Sequence, residues 1–174
     1  SQLMVKIVHD ELAKLMGGKK AFVDKLQRVF DEGLYDPANE PDIAYPYLFS
    51  RFSGEEWRTQ KLVGELLEKY FTDRPNGIPG NEDTGTMSAW AIFSMMGFYP
   101  DCPATPDYTL TAPVFDKVTL KLDKRFYGRD EVVLRKASTD SKGYIKGITR
   151  DGQRHKGFRM THDELVNTSE IVFN

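Results

Sequence analysis

The chain has 174 residues, 40% of them hydrophobic and 29% charged, so it is long enough to bury a core and too apolar for wholesale disorder. Its net charge of −2 argues against a general nucleic-acid binder. The sequence has no run of about 18 apolar residues, so no membrane span is predicted. The single cysteine, Cys102, excludes an intrachain disulfide.

The first half of the chain has the apolar periodicity of helices. Apolar residues recur at three- and four-residue steps, which is typical of helices that each bury one face. This spacing predicts five helices, near 3–16, 19–32, 43–52, 53–70 and 84–96. Ser53 is the predicted N-cap of the fourth helix, with Glu56 completing a capping box. Two loops rich in proline, glycine and acidic residues, at 34–42 and 73–83, separate these helices.

The second half of the chain has the shorter period of β-strands. After a proline-rich connector near 101–106, short segments rich in valine, isoleucine, threonine and aromatic residues partly alternate. They predict antiparallel strands at 107–112, 115–122, 130–136, 143–149 and 168–173, with a helical turn near 162–165. We therefore predict an α+β chain with a helical part at 1–103 and an antiparallel β region at 104–174. Their charges differ too: the first part has 11 basic and 16 acidic residues, and the second has 13 and 10.

Two interhelical loops concentrate carboxylates, amides and glycines. The first contains Asn39, Glu40 and Asp42, and the second runs from Gly80 to Gly85. Oxygen donors of this kind suit a hard cation such as calcium, and they also suit sugar hydroxyls. A simpler interpretation is that Asp83 only caps the last predicted helix.

Aromatic residues surround these loops in the sequence. Trp57 and Trp90 are the largest of them. Such rings can stack on sugars, but aromatic residues at helical spacing are more often part of a core. Both interpretations stay open at this stage.

Several long segments together resemble family 92 of the glycoside hydrolases. These are NEPDIAYPYLF at 39–49, EEWRTQKLV at 55–63, GIPGNEDTGTMSAWAIFSMMGFYP at 77–100 and YTLTAPVFDKVTLKL at 108–122. The family comprises calcium-dependent exo-acting α-mannosidases that invert anomeric configuration. The resemblance implies an (α/α)6 barrel joined to a β-sandwich, of which this chain is expected to form the last barrel helices and the strands after them.

The same resemblance implies roles for particular residues. Asp83 resembles the general base, and the position two residues earlier, acidic in many members, is Asn81 here. The other implied site residues are Glu82, Trp57, Trp90 and Asn81 as substrate-binding residues and Glu40 and Asn39 as calcium ligands. A backup base is the alternative role of Glu82. The family's general acid lies well upstream of these motifs, so we expect the chain on its own to be inactive.

The expected activity is hydrolysis of terminal α-linked mannose from glycans, with α-1,2 among the candidate linkages. The implied partners are mannose-containing glycans and the missing N-terminal part of the same enzyme, with neither nucleic acid nor membrane. We also expect self-association through an apolar face that includes Leu3, Ile7 and Leu12. The alternatives are a non-catalytic carbohydrate-binding module and a purely structural module.

Overall fold

The helical part of the fold consists of α-helices around a long 3-10 helix. The computed structural model describes residues 11–102 and 105–174, so most of the first predicted helix, with Leu3 and Ile7, lies outside the described residues. Residues 11–15 are helical. They are followed by α1 (Lys19–Asp31), a 3-10 helix (Glu40–Arg51), α2 (Glu56–Tyr70) and α3 (Thr86–Met96). None of the helices in the described ranges is long and apolar enough to cross a membrane.

The 3-10 helix joins two apolar clusters. Phe49 packs in a cluster with Phe22 and Leu26 of α1 and with Leu62 of α2. Tyr47 packs in the other, with Val63, Leu66 and Leu67 of α2 and with Trp90 and Ala91 of α3. Because both Tyr47 and Phe49 are fully buried, this segment is held firmly between the helices.

The predicted α-helix at 43–52 is wrong in type and in its starting point. The segment is a 3-10 helix that begins at Glu40, with Pro41 in its first turn and Pro46 inside it. Proline has no backbone N–H to donate and its ring clashes with the carbonyl four residues earlier, so a regular α-helix cannot run through Pro46. The predicted Ser53 cap is also wrong, because α2 begins at Glu56 and Glu55 occupies its N-cap without a side-chain hydrogen bond.

In the described residues, eight short strands form two sheets. The strands are β1 (Phe98–Tyr99), β2 (Asp107–Leu110), β3 (Lys117–Lys121), β4 (Glu131–Lys136), β5 (Ile148–Arg150), β6 (Gln153–His155), β7 (Arg159–Thr161) and β8 (Glu170–Phe173). One sheet has the order β1-β2-β7 and the other the order β3-β4-β8-β5-β6. Two short helices, α4 (Lys124–Tyr127) and α5 (His162–Val166), lie between strands.

The α+β fold class is confirmed, with one departure in the β region. Within residues 11–102 and 105–174, every strand pair is antiparallel except β4 with β8, which are parallel with Val133 opposite Glu170. The domain boundary at 103/104 stays a prediction. Strand β1 lies before it and pairs with β2 after it, with Phe98 opposite Leu110.

Buried polar contacts join the helical part to the β region. Asp101, with a fully buried side chain, binds Arg51 of the 3-10 helix at 3.0 Å and Arg159 of β7 at 3.2 Å. The Gln60 side chain of α2 donates to the Ile145 carbonyl at 3.3 Å and accepts from the Ile145 N–H at 2.9 Å. These bonds fix the scaffold on which the loops described below are held.

Candidate active site

The two loops singled out in the sequence lie side by side. A Cβ built on Gly80 would approach the carbonyl oxygen of Ala38 to 3.1 Å, so the two backbones are in close contact. Thr86 Oγ1 at the start of α3 lies 3.5 Å from Glu40 Oε1. The indole N–H of Trp90 donates to the Ile43 carbonyl at 2.9 Å, which ties α3 to the segment after the first loop. The fold therefore places the two loops in contact with each other.

The turn around Asp83 has an unusual backbone. Glu82 (φ 58) and Thr84 (φ 50) both adopt the left-handed conformation, and Gly85 (φ 82) follows them. For a residue other than glycine this conformation costs on the order of 1–3 kcal/mol, and it is least expected for β-branched threonine. Strain of this kind is concentrated at functional sites, where surrounding contacts hold it in place.

Glu82 is the residue that caps α3. Its Oε1 accepts the backbone N–H of Ser88 at 3.0 Å, and Ser88 is the third residue of that helix. Its Oε2 is buried and has no hydrogen-bond partner among the described residues. One oxygen is bonded to the helix and the other is buried, so neither oxygen is accessible to a sugar hydroxyl.

Asp83 is exposed, and its carboxylate has no hydrogen-bond partner within residues 11–102 and 105–174. Only its backbone carbonyl is engaged, accepting from Thr86 Oγ1 at 2.6 Å. The capping interpretation of Asp83 is wrong, because Gly85 occupies the N-cap position of α3. The side chain is consequently available to hold a water molecule.

Asn39 and Glu40 present oxygen atoms to solvent beside this turn. Asn39 stands at the N-cap of the 3-10 helix, yet its side chain makes no capping bond. Both residues are exposed. Their oxygens are the ligand type that calcium takes, but in the part of the chain that is described no three His, Cys, Asp or Glu residues are close enough to hold a metal. The described residues alone therefore do not form a metal site.

The remaining predicted site residues lie in different surroundings. Asn81 is exposed in the same turn as Asp83. Trp90 is only 2% exposed and stacks on Phe71 with ring centroids 5.4 Å apart, so it is a core residue with no open face for a sugar. Trp57 is 40% exposed, and the Arg58 guanidinium lies over its ring at 4.7 Å.

A polar cluster in the first loop was not predicted from the sequence. Asp42 is 9% exposed and lies close to the side chains of Tyr35 and Tyr45. Burial, followed by the charge of Asp42, raises the pKa of Tyr35 and of Tyr45, so both phenols stay protonated. In the sequence, Asp42 is one of several acidic residues in this loop, and nothing distinguishes it from the others. No pattern indicated that it would be buried.

Comparison with known protein families shows the family of this chain. The model of the glycosyl hydrolase family 92 catalytic domain matches residues 2–174. The chain belongs to this family. In it, the turn with Asp83 and the loop with Glu40 are parts of a catalytic domain.

Individual family relatives extend well beyond the matched region. An uncharacterized secreted glycosidase from Arthroderma benhamiae is 29% identical over 166 residues, which cover 92% of this chain and 21% of the relative. A family 92 inverting mannosidase from Bacteroides thetaiotaomicron has a TM-score of 0.80 at 29% identity, over 95% of this chain and 25% of the other. A family 92 α-mannosidase from the same organism, in complex with mannoimidazole, has a TM-score of 0.78 at 23% identity, which shows a shared fold. It covers 90% of this chain and 22% of that one. The chain thus spans 21–25% of the length of these relatives.

Proposed function

We propose that this chain contributes the base side of the active site of an inverting, calcium-dependent α-mannosidase that removes terminal α-linked mannose from glycans. The proposal concerns the complete catalytic domain, because the chain spans only about a quarter of the solved mannosidase it matches at 29% identity. That relative is described as an inverting mannosidase, which supports the same reaction class here.

The observation that carries the proposal is the division of roles between two adjacent carboxylates. Glu82 satisfies the N-terminus of α3, and Asp83 stays exposed with no side-chain partner in the described ranges. A general base needs a carboxylate that can accept a proton from water, and a carboxylate used as a helix cap is less available for this. Asp83 is therefore the proposed base.

Inversion defines the task of this base. Asp83 would remove a proton from a water molecule that attacks the anomeric carbon from the face opposite the leaving group. A carboxylic acid on the other side of the sugar protonates the glycosidic oxygen, and the two groups stand roughly 6.5–9.5 Å apart to leave room for the water. We propose that this acid lies outside the present chain and that the chain alone does not turn over mannosides.

Asn39 and Glu40 are the proposed calcium ligands from this chain. Both are exposed oxygen donors, and Glu40 lies near Thr86, which also bonds the Asp83 carbonyl. When bound, calcium would ligate mannose hydroxyls and favour the distorted ring of the transition state. The remaining ligands would come from sugar, water and residues beyond those described.

The test is mannose release from α-mannosides by the intact protein, with the anomer of the first product followed by proton NMR. Inversion predicts that β-mannose appears first and then mutarotates, and removal of calcium with EDTA should abolish release. An initial α-mannose product would contradict the inverting mechanism. Calcium-dependent binding of mannosides without any release would instead support a non-catalytic carbohydrate-binding module.

A further inference from the structure

Glu82 closes the turn that carries Asp83 through a bond that spans six residues. Its Oε1 accepts the N–H of Ser88 at 3.0 Å. The first N–H groups of a helix lack internal partners, and the residue at the N-cap usually satisfies one of them. Here the N-cap is Gly85, which has no side chain to do so. The acceptor therefore comes from three residues further back, and the bond encloses the whole turn with Asp83 inside it.

This turn needs such a restraint because its backbone is strained. Glu82 and Thr84, on either side of Asp83, are both left-handed. Conformations of this kind persist only when several contacts hold them. Backbone bonds hold part of it, from the Gly85 N–H to the Glu82 carbonyl at 2.7 Å and from the Thr86 N–H to the Asp83 carbonyl. Two side chains add to them, through the Glu82 bond to Ser88 and the bond from Thr86 Oγ1 to the Asp83 carbonyl at 2.6 Å.

The second oxygen of Glu82 indicates that capping alone does not explain the residue. Oε2 is buried without a partner among the described residues, and a buried unpaired carboxylate oxygen is unfavourable. A serine or aspartate at the N-cap would be strained, because residue 85 is left-handed, so the acceptor for the helix has to come from a longer side chain outside it. The long side chain of Glu82 is explained if its function is to hold the turn as a unit.

We propose that Glu82 is a positioning residue for the general base. It locks residues 82–85 so that the Asp83 carboxylate is presented towards the attacking water, and it touches neither sugar nor water itself. This inference rests on the proposed function of Asp83. It replaces the sequence-based prediction that Glu82 binds substrate.

Three substitutions of Glu82 distinguish the effects of its side-chain length, its charge and its hydrogen bond to Ser88. Glu82→Ala removes the bond to Ser88, Glu82→Gln keeps the length and one acceptor oxygen without the charge, and Glu82→Asp keeps the charge but is one methylene too short. We expect kcat of the intact protein on an α-mannoside to fall about 10²-fold in the Ala and Asp variants, with KM nearly unchanged. The Gln variant should retain most of kcat.

The matched control is Thr161→Ala, which removes a helix cap far from the turn in sequence. Thr161 and Glu164 form a capping box at the start of α5. The control should lower the melting temperature, as Glu82→Ala does, and leave kcat unchanged. An unchanged kcat in Glu82→Ala would reduce Glu82 to a cap of the same kind and overturn the proposal.

The other outcomes are also decisive. A raised KM with normal kcat in Glu82→Ala would mean that Glu82 contacts the sugar. An active Asp variant beside an inactive Gln variant would mean that the charge of Glu82 takes part in the reaction, which would overturn the positioning role.

If the wild-type protein releases no mannose, the proposed function fails, and a crystal structure of Glu82→Ala then decides the positioning role. The proposal expects a rearranged turn at 82–85, and an unchanged turn would overturn it.

Discussion

The carboxylate of Glu82 accepts the N–H of Ser88 at 3.0 Å, whereas the carboxylate of the adjacent Asp83 bonds to no group in the described ranges. Two neighbouring acidic residues thus occupy different environments because the backbone of Glu82 is left-handed. One side chain turns back to the helix and the other stays at the surface. Because the Asp83 side chain makes no bond in the described ranges, a substitution there tests catalysis with little effect on stability.

Asp83→Asn should lower kcat by at least about 10² and leave the melting temperature nearly unchanged. Asparagine has the same size but cannot take the proton from water, and no side-chain bond of Asp83 is lost in the described structure. The measurements are mannose release and thermal unfolding of the intact protein. Asp73→Asn, at an exposed aspartate near the start of the same loop, is the matched control and should change neither quantity. Equal rates for wild type and Asp83→Asn would end the general-base assignment.

Glu40→Gln should weaken the stabilisation of the protein by calcium. A ligand that binds only the folded state stabilises it, by about 2.7 kcal/mol at a concentration 100 times its Kd. Losing the charged ligand raises Kd, so the rise in melting temperature on adding calcium after EDTA treatment should shrink. Glu68→Gln, an exposed glutamate on α2, should keep the full rise. The same calcium response in both variants would remove Glu40 from the coordination shell.

The parts of the fold set by apolar spacing could be predicted from the sequence. Helix α1 and the body of α2 lie where their spacing placed them, because burial of one face decides their position, although α2 begins three residues later than predicted. The 3-10 helix could not be predicted, since its type depends on how Pro41 and Pro46 interrupt backbone hydrogen bonds within a packed segment. The parallel pairing of β4 with β8 is a long-range contact that period-two alternation does not specify.

The candidate site was predictable in place but not in detail. Proline, glycine and acidic residues marked both loops, and the structure brings these loops together. That Glu82 caps the helix and Asp83 stays exposed depends on left-handed dihedral angles, which a Glu-Asp-Thr sequence does not predict. Likewise, the same helical spacing suits a core tryptophan and a surface one, so only the fold separates Trp90 from Trp57.

Trp90→Ala should destabilise the protein by about 3–5 kcal/mol, the usual range for removing a large buried aromatic side chain. Trp90→Phe keeps a ring against Phe71 but leaves the Ile43 carbonyl without its donor, and should cost about 1–3 kcal/mol. Urea unfolding gives both values. Trp57→Ala, at a 40% exposed position, should cost less than either, and similar losses at both tryptophans would contradict the burial difference.

The ion pair between Asp107 and Arg159 makes the free energy of unfolding depend on pH. Burial raises the pKa of Asp107, but the hydrogen bonds from Arg159 and the charges of Arg159 and Arg51 outweigh it, so the pKa lies below its usual value. The Arg159 guanidinium contacts Asp107 Oδ2 at 2.7 Å. A carboxyl whose pKa is lower in the folded state stabilises the fold above its unfolded pKa, about 3.9 for aspartate, and loses this contribution as pH falls through the folded pKa.

Asp107→Asn should therefore make the acid-induced loss of stability shallower below about pH 4, because one carboxylate that favours the folded state no longer titrates. At pH 7 the variant should be less stable than wild type by about 1.5–3 kcal/mol, the contribution of a hydrogen bond to a charged group. Glu164, whose pKa is lowered mainly by the Thr161 N–H bond, is present in both proteins and cancels from the comparison. Urea unfolding from pH 7 to pH 2.5 measures the difference, with Asp116→Asn at a 97% exposed side chain as control. Parallel pH profiles for wild type and Asp107→Asn would show that the contact with Arg159 does not couple folding to the ionisation of Asp107.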